Sequence, residues 1–177
     1  MRYLYVGATA EVEREVFETV RDRVAAAFAA PVKEIELPAV DFAYDPGRRQ
    51  YASIPLLEML QRLCPADAWK LVAVTGRDLF IPVLTFVFGH AQLGGRLAVI
   101  SLARLRQEFY GLAPNREVLF DRAYKEALHE TGHTLGLVHC ADRNCVMSLA
   151  TNVRQIDSRN GAYCAVCAAR VKRGKRE

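Results

Sequence analysis

Three histidines and a glutamate in the segment His129-Glu130-Thr131-Gly132-His133-Thr134-Leu135-Gly136-Leu137-Val138-His139 have the types and spacing for metal-assisted hydrolysis. On an α-helix, residues four apart lie one above the other, so His129 and His133 present two imidazoles to one ion. Glu130 is rotated about 100° from His129. Its carboxylate therefore sits beside the ion, placed to hold a water without becoming a ligand. Gly136, three residues after His133, suits the left-handed turn that ends many helices. The chain then swings back and brings in His139 from outside the helix. Three neutral nitrogens on zinc leave at least one coordination position open, as catalysis needs. A lone helical histidine is usually a packed or solvated residue, and a short His-Glu-x-x-His run arises by chance. The added glycine and third histidine make coincidence a poor account of the whole pattern.

A second constellation stands beside the first. Four of the five cysteines, Cys140, Cys145, Cys164 and Cys167, fall within 28 residues next to the histidines. In a reducing compartment such crowding points to metal ligation rather than to disulfides. Four thiolates close a tetrahedral zinc site completely, which makes it structural and a contributor to folding energy. It would staple the aperiodic stretch from Cys140 to Cys164 onto the final helix. Cys64 stands apart and reads as a half-buried thiol at a helix end.

The elements that must carry these residues follow from periodicity. Tyr3 to Val6 reads as a strand. Val12, Val16, Val20, Val24, Ala27 and Phe28 recur at helical spacing between Glu11 and Phe28. Glu11, Glu13 and Glu15 are expected in that helix's first turns, where its dipole favours negative charge, and Pro31 stops it. Val32 to Leu37 is a second strand, and Pro38 to Gln50 a loop with the turn Asp45-Pro46-Gly47. Ser53 is expected to cap a helix bearing Leu56, Leu57, Leu60 and Leu63. Further strands are expected at Leu71 to Val74, Phe86 to Phe88 and, after Gly94-Gly95, Leu97 to Ser101. Asn115 opens the long histidine-bearing helix, which runs to about Gly136, and a last helix begins near Asp157. The pattern predicts one α/β domain over residues 1–177. Residues 1–136 hold a five-stranded sheet and the histidine helix; residues 137–177 hold the third histidine and the cysteines.

Composition excludes several classes. At 177 residues, 51% hydrophobic and 25% charged, the chain is long enough for one packed core and too apolar for disorder. No apolar run approaches the ~20 residues of a membrane span, and the N-terminal apolar stretch is too short for a signal-peptide core. The cytoplasm is the expected compartment. The net charge of +4 is matched by the last eight residues, with Arg170, Lys172, Arg173, Lys175 and Arg176 against Glu177. A charge confined to a terminal tail reads as a solvated, frayed end and argues against a nucleic-acid partner.

Taken together, the chain resembles the metzincin clan of zinc peptidases, and within it the archaemetzincin family. The resemblance rests on the three-histidine helix, on Met147 eight residues after His139, on the four cysteines, and on Tyr44-Asp45-Pro46, Gln50-Tyr51, Val74-Thr75, Asp78-Leu79-Phe80 and Phe86-Val87-Phe88-Gly89. Tyr163 departs from the phenylalanine expected there. The resemblance implies a mixed, twisted sheet with three main helices and a C-terminal zinc-stapled segment. It also implies Met147 as an apolar floor beneath the catalytic zinc, the four cysteines around a second zinc, and Thr85 to Gly89 as an edge strand above the cleft. The implied activity is hydrolysis of peptide bonds in a peptide or protein substrate, by a zinc-bound water with Glu130 as general base. His90 reads as a solvent-facing loop histidine rather than a substrate contact. A zinc-stabilised binding module, or a hydrolase of a non-peptide amide or ester, are the alternatives.

Overall fold

The computed structural model describes residues 2–174. In chain order its elements are β1 (Tyr3–Ala8), α1 (Arg14–Phe28), β2 (Val32–Glu36), β3 (Tyr44–Asp45), β4 (Gln50–Ala52), α2 (Ser53–Leu63), β5 (Ala68–Thr75), β6 (Leu79–Phe80), β7 (Gly89–Ala91), β8 (Leu97–Ser101), α3 (Arg116–Thr134), α4 (Val153–Ser158) and α5 (Ala165–Gly174). The main sheet is mixed and five-stranded, in the order β2-β1-β5-β8-β7. Its first four strands are parallel, and β7 runs antiparallel on the edge beside β8.

Both faces of the sheet are covered, as strands this apolar require. Leu4, Val6, Val72, Val74, Ala98 and Ile100 point to one side and pack with Val20, Val24 and Phe28 of α1 and Ala127 and Leu128 of α3. Their neighbours Tyr5, Leu71, Ala73, Leu97 and Val99 point to the other and meet Leu56, Leu57 and Leu60 of α2. A slip of one residue in any strand would exchange the two sets, so register and helix placement are specified together.

Several local expectations are corrected. Helix α1 begins at Arg14, so only Glu15 lies in its first turn and Glu13 is the N-cap. Glu11 is drawn away because its carboxylate accepts from Thr9 Oγ1, Thr75 Oγ1 and the Gly76 N–H, joining the ends of β1 and β5. Ser53 does not cap α2. It is the first helical residue, and its hydroxyl donates to the Phe80 carbonyl, 3.2 Å away. The stretch Phe86 to Phe88 is not a strand of the main sheet: Val87 N–H is taken by Leu79 O at 2.8 Å, and pairing with β8 starts at Gly89. The expected loop from Pro38 to Gln50 folds further, because β3 within it pairs with β4, and β4 with β6, in a small second sheet. The last helix is two, α4 and α5, and α5 carries Arg170, Lys172 and Arg173. The frayed-tail expectation for Lys175, Arg176 and Glu177 falls outside the described residues. Among the described residues no helix is long and apolar enough to cross a membrane.

Candidate active site

Helix α3 starts where Asn115 Oδ1 accepts from Val118 N–H at 3.1 Å, and it ends at Thr134, followed by Gly136 at φ +82°. That left-handed residue, comfortable only for glycine, turns the chain so that His139 returns toward the helix. The imidazole centroids of His129, His133 and His139 lie 4.6 to 5.4 Å apart. One nitrogen from each lies within 4.8 Å of the others.

The tautomers are set from behind. His129 Nδ1 donates to Val146 O and His133 Nδ1 to Leu137 O, each at 2.7 Å. With both N–H groups committed, the Nε2 atoms of His129 and His133 face each other as bare acceptors 3.0 Å apart. Two lone pairs at that distance repel unless a cation lies between them. Burial, reinforced by positive neighbours, lowers the pKa of all three imidazoles. The neutral form so favoured is the one that ligates metal. The group therefore fits a divalent metal such as zinc.

Glu130 lines the same cleft, which has a volume of about 720 Å³. Burial pushes its carboxyl well above the ordinary carboxylate range; Glu126 adds to the effect and Arg159 opposes it. Met147 is fully buried beneath α3. It approaches so closely that a Cβ on Gly132 would fall 2.5 Å from its Sδ. Tyr163 packs against the same glycine and donates its hydroxyl to Leu128 O at 2.7 Å, a bond phenylalanine could not make.

The four cysteines also converge. None is in a disulfide, and their sulfurs lie within 4.8 Å of one another. The N–H groups of Met147 and Cys164 both point at Cys145 Sγ, at 3.4 and 3.3 Å. A backbone N–H from Cys167 helps bring Cys164 down to about 7. Such a donor set suits a closed thiolate site. Cys64 is half-buried at the end of α2, away from both clusters.

Comparison with known proteins agrees with this geometry. The model of peptidase family M54 matches residues 31–173. The archaemetzincin of Methanocaldococcus jannaschii is 44% identical over 139 residues, covering 77% of this chain and 75% of the relative. The chain belongs to peptidase family M54, the archaemetzincins. The fold agrees along its length. An archaemetzincin from Methanopyrus kandleri superposes with a TM-score of 0.88 at 32% identity, covering 99% of this chain and 96% of that one. A zinc-dependent peptidase from Methanocorpusculum labreanum gives 0.83 at 29% identity, covering 95% and 99%.

In this archaemetzincin, the residues singled out from the sequence are brought together, with one exception and two omissions. His90 is not a solvent-facing loop residue. It sits on β7, lines the cleft, and places Nδ1 2.8 Å from Ser53 Oγ. Since that hydroxyl donates to Phe80 O, His90 Nδ1 is the donor and Nε2 an acceptor. Gly89, expected only as the end of the edge strand above the cleft, touches Glu130. Glu126 and Arg159 form an ion pair of 2.7 Å, 4% and 2% exposed, in the wall of the cleft. Glu126 could have been found, since it stands three residues before His129 and four before Glu130 on one helix face. Arg159 carries no local signal.

Proposed function

We propose that this chain is a zinc-dependent peptidase in which His129, His133 and His139 hold the catalytic metal and Glu130 is the general base. The observation that carries the reading is the facing pair of Nε2 lone pairs, with Glu130 in the wall of the same cleft. A zinc ion bound there would supply a Lewis acid that acidifies water and polarises a peptide carbonyl. Glu130 takes the proton from the attacking water and passes it to the departing amine. Cys140, Cys145, Cys164 and Cys167 hold a second, structural zinc, and such thiolates call for a reducing compartment such as the cytoplasm. Residues 1–136 and 137–177 work as one peptidase domain.

The edge strand supplies the means of holding a peptide. Phe88 O accepts from Ser101 N–H and Gln92 N–H donates to Leu97 O. By the alternation of an antiparallel ladder, Gly89 and Ala91 turn their N–H and C=O to the free edge. An extended substrate adds there as a further strand, beside Glu130. A purely structural metal site has no use for a buried carboxylate in an open cleft, which weighs against a binding module.

The test is Glu130→Gln, which keeps size and helix propensity. Hydrolysis of a mixed peptide library is expected to fall at least ~10²-fold, the low end for losing a positioned acid–base group, with metal content and melting temperature unchanged. Equal cleavage by the two proteins would sink the mechanism. A fully metal-loaded wild type that cleaves no peptide would favour the binding-module reading.

A further inference from the structure

A closed ring of bonds ties helix α3 to the turn beneath it. His129 on α3 donates to Val146 O at 2.7 Å. Three residues earlier on the same helix, Glu126 accepts from Arg159 Nη1 at 2.7 Å. The other arm of that guanidinium, Nη2, donates to Ser148 O. The turn 145–148 is thus held to α3 twice, directly through His129 and indirectly through Arg159. Met147, between the two tethered carbonyls, is pressed against Gly132.

This second tether is expensive. Both partners of the Glu126–Arg159 pair are almost wholly inaccessible, and Arg159 Nε is buried without a partner among the described residues. Buried ion pairs seldom exceed apolar replacements of the same volume in stability. Nor is the pair needed to dock α4 on α3, because Arg122 already makes a two-pronged bond to Asp157, with contacts of 2.7 and 2.8 Å. What it adds is a fixed position for the turn whose carbonyl orients a histidine.

We propose that Arg159 is a positioning residue for the metal centre, holding the turn 145–148 where Val146 O orients His129 Nε2 toward the ion. It acts through Ser148 and Val146, not by touching metal or substrate. The inference rests on the histidine metal site proposed above. Partners of this outer kind change metal affinity or activity by about 10–100-fold when removed.

The decisive variant is the double substitution Glu126→Leu/Arg159→Met, which removes both charges and leaves neither buried alone. It is expected to melt within about 5 °C of wild type and to keep its sulfur-bound zinc. Zinc affinity of the nitrogen-ligated site, measured by chelator competition, is expected to fall about 10–100-fold. The His129 Nδ1–H proton resonance of the zinc-loaded protein should lose its slow exchange with water. Affinity within about two-fold of wild type, with that proton still protected, overturns the proposal and leaves the peptidase reading intact. A wild type with no zinc on nitrogen overturns both. Should the double variant not fold, Arg159→Lys serves: lysine keeps the charge beside Glu126 but lacks the fork that also reaches Ser148 O. The same loss is expected of it, and wild-type affinity there overturns the proposal.

Discussion

Gly89 and Glu130 meet at contact distance: a Cβ on Gly89 would lie 2.5 Å from Glu130 Cγ and 2.7 Å from Oε1. The edge strand approaches the proposed general base so closely because this position has no side chain. Gly89→Ala should therefore displace the carboxylate rather than unfold the sheet. Peptide hydrolysis is expected to fall by roughly 10²-fold, as for losing the positioned base, with metal content retained. Steady-state kinetics beside zinc analysis checks this, and unchanged kcat would show that Glu130 does not need its present position.

The contact between Gly132 and Met147 makes a different prediction, about stability. A methyl at 132 would meet Met147 Sδ at 2.5 Å and Tyr163 at 3.2 Å. Overpacking of this kind costs about 1–3 kcal/mol. Gly132→Ala should lower the urea midpoint, and Met147→Ala should do so too by leaving a cavity. Together they should cost less than their sum, because the smaller residue at 147 admits the added methyl. Strict additivity would mean that the two do not share a packing constraint.

The two ligand clusters should differ in what their loss does. Cys164→Ser opens a closed thiolate site in a segment short of large apolar side chains, so amide protection should fall from Cys140 through α5. His139→Ala should weaken retention of the histidine-bound metal and leave that protection in place. Hydrogen exchange on both variants decides the matter. Equal losses would contradict the division into structural and catalytic metals.

Lys70 gives a pH dependence. Its Nζ donates to Gly95 O and Thr134 O, each at 2.7 Å, at the C-terminal end of α3. Burial, with Arg96 nearby, lowers its pKa to about 8. Between that value and the ordinary lysine range near ~10.4, the unfolded chain binds a proton that the folded chain does not. Stability from this residue therefore rises with pH across that window. Measured as the difference in unfolding free energy between wild type and Lys70→Met, which cancels other titrating groups, the curve should climb above pH 8. A flat difference would show that Lys70 titrates normally.

How much of this was legible beforehand differs from residue to residue. The spacing of His129, Glu130 and His133 became geometry at once, because a helix fixes angle and rise per residue whatever surrounds it. Gly136 was equally readable, since its left-handed turn is a local preference. Strand β8 was placed correctly, and β1, β2 and β5 to within a few residues, because each apolar run has to be buried. The failures share a cause. Phe86 to Phe88 has the composition of a strand, but a bond from Val87 to Leu79 O diverts it and moves the edge strand to Gly89. Ser53 has the composition of a cap, but Phe80 and His90 claim its hydroxyl.

The amino-acid sequence alone thus determined which histidines and cysteines cluster, the helix that carries His129 and His133 and the class of chemistry. Only the tertiary structure decided what lies against that helix. Glu126 meets Arg159 across 33 residues of chain, and Gly89 meets Glu130 across 41. No local rule links such positions. Their contact exists because burying both faces of one sheet brings α3, α4 and β7 together, and that balance belongs to the whole fold rather than to any segment.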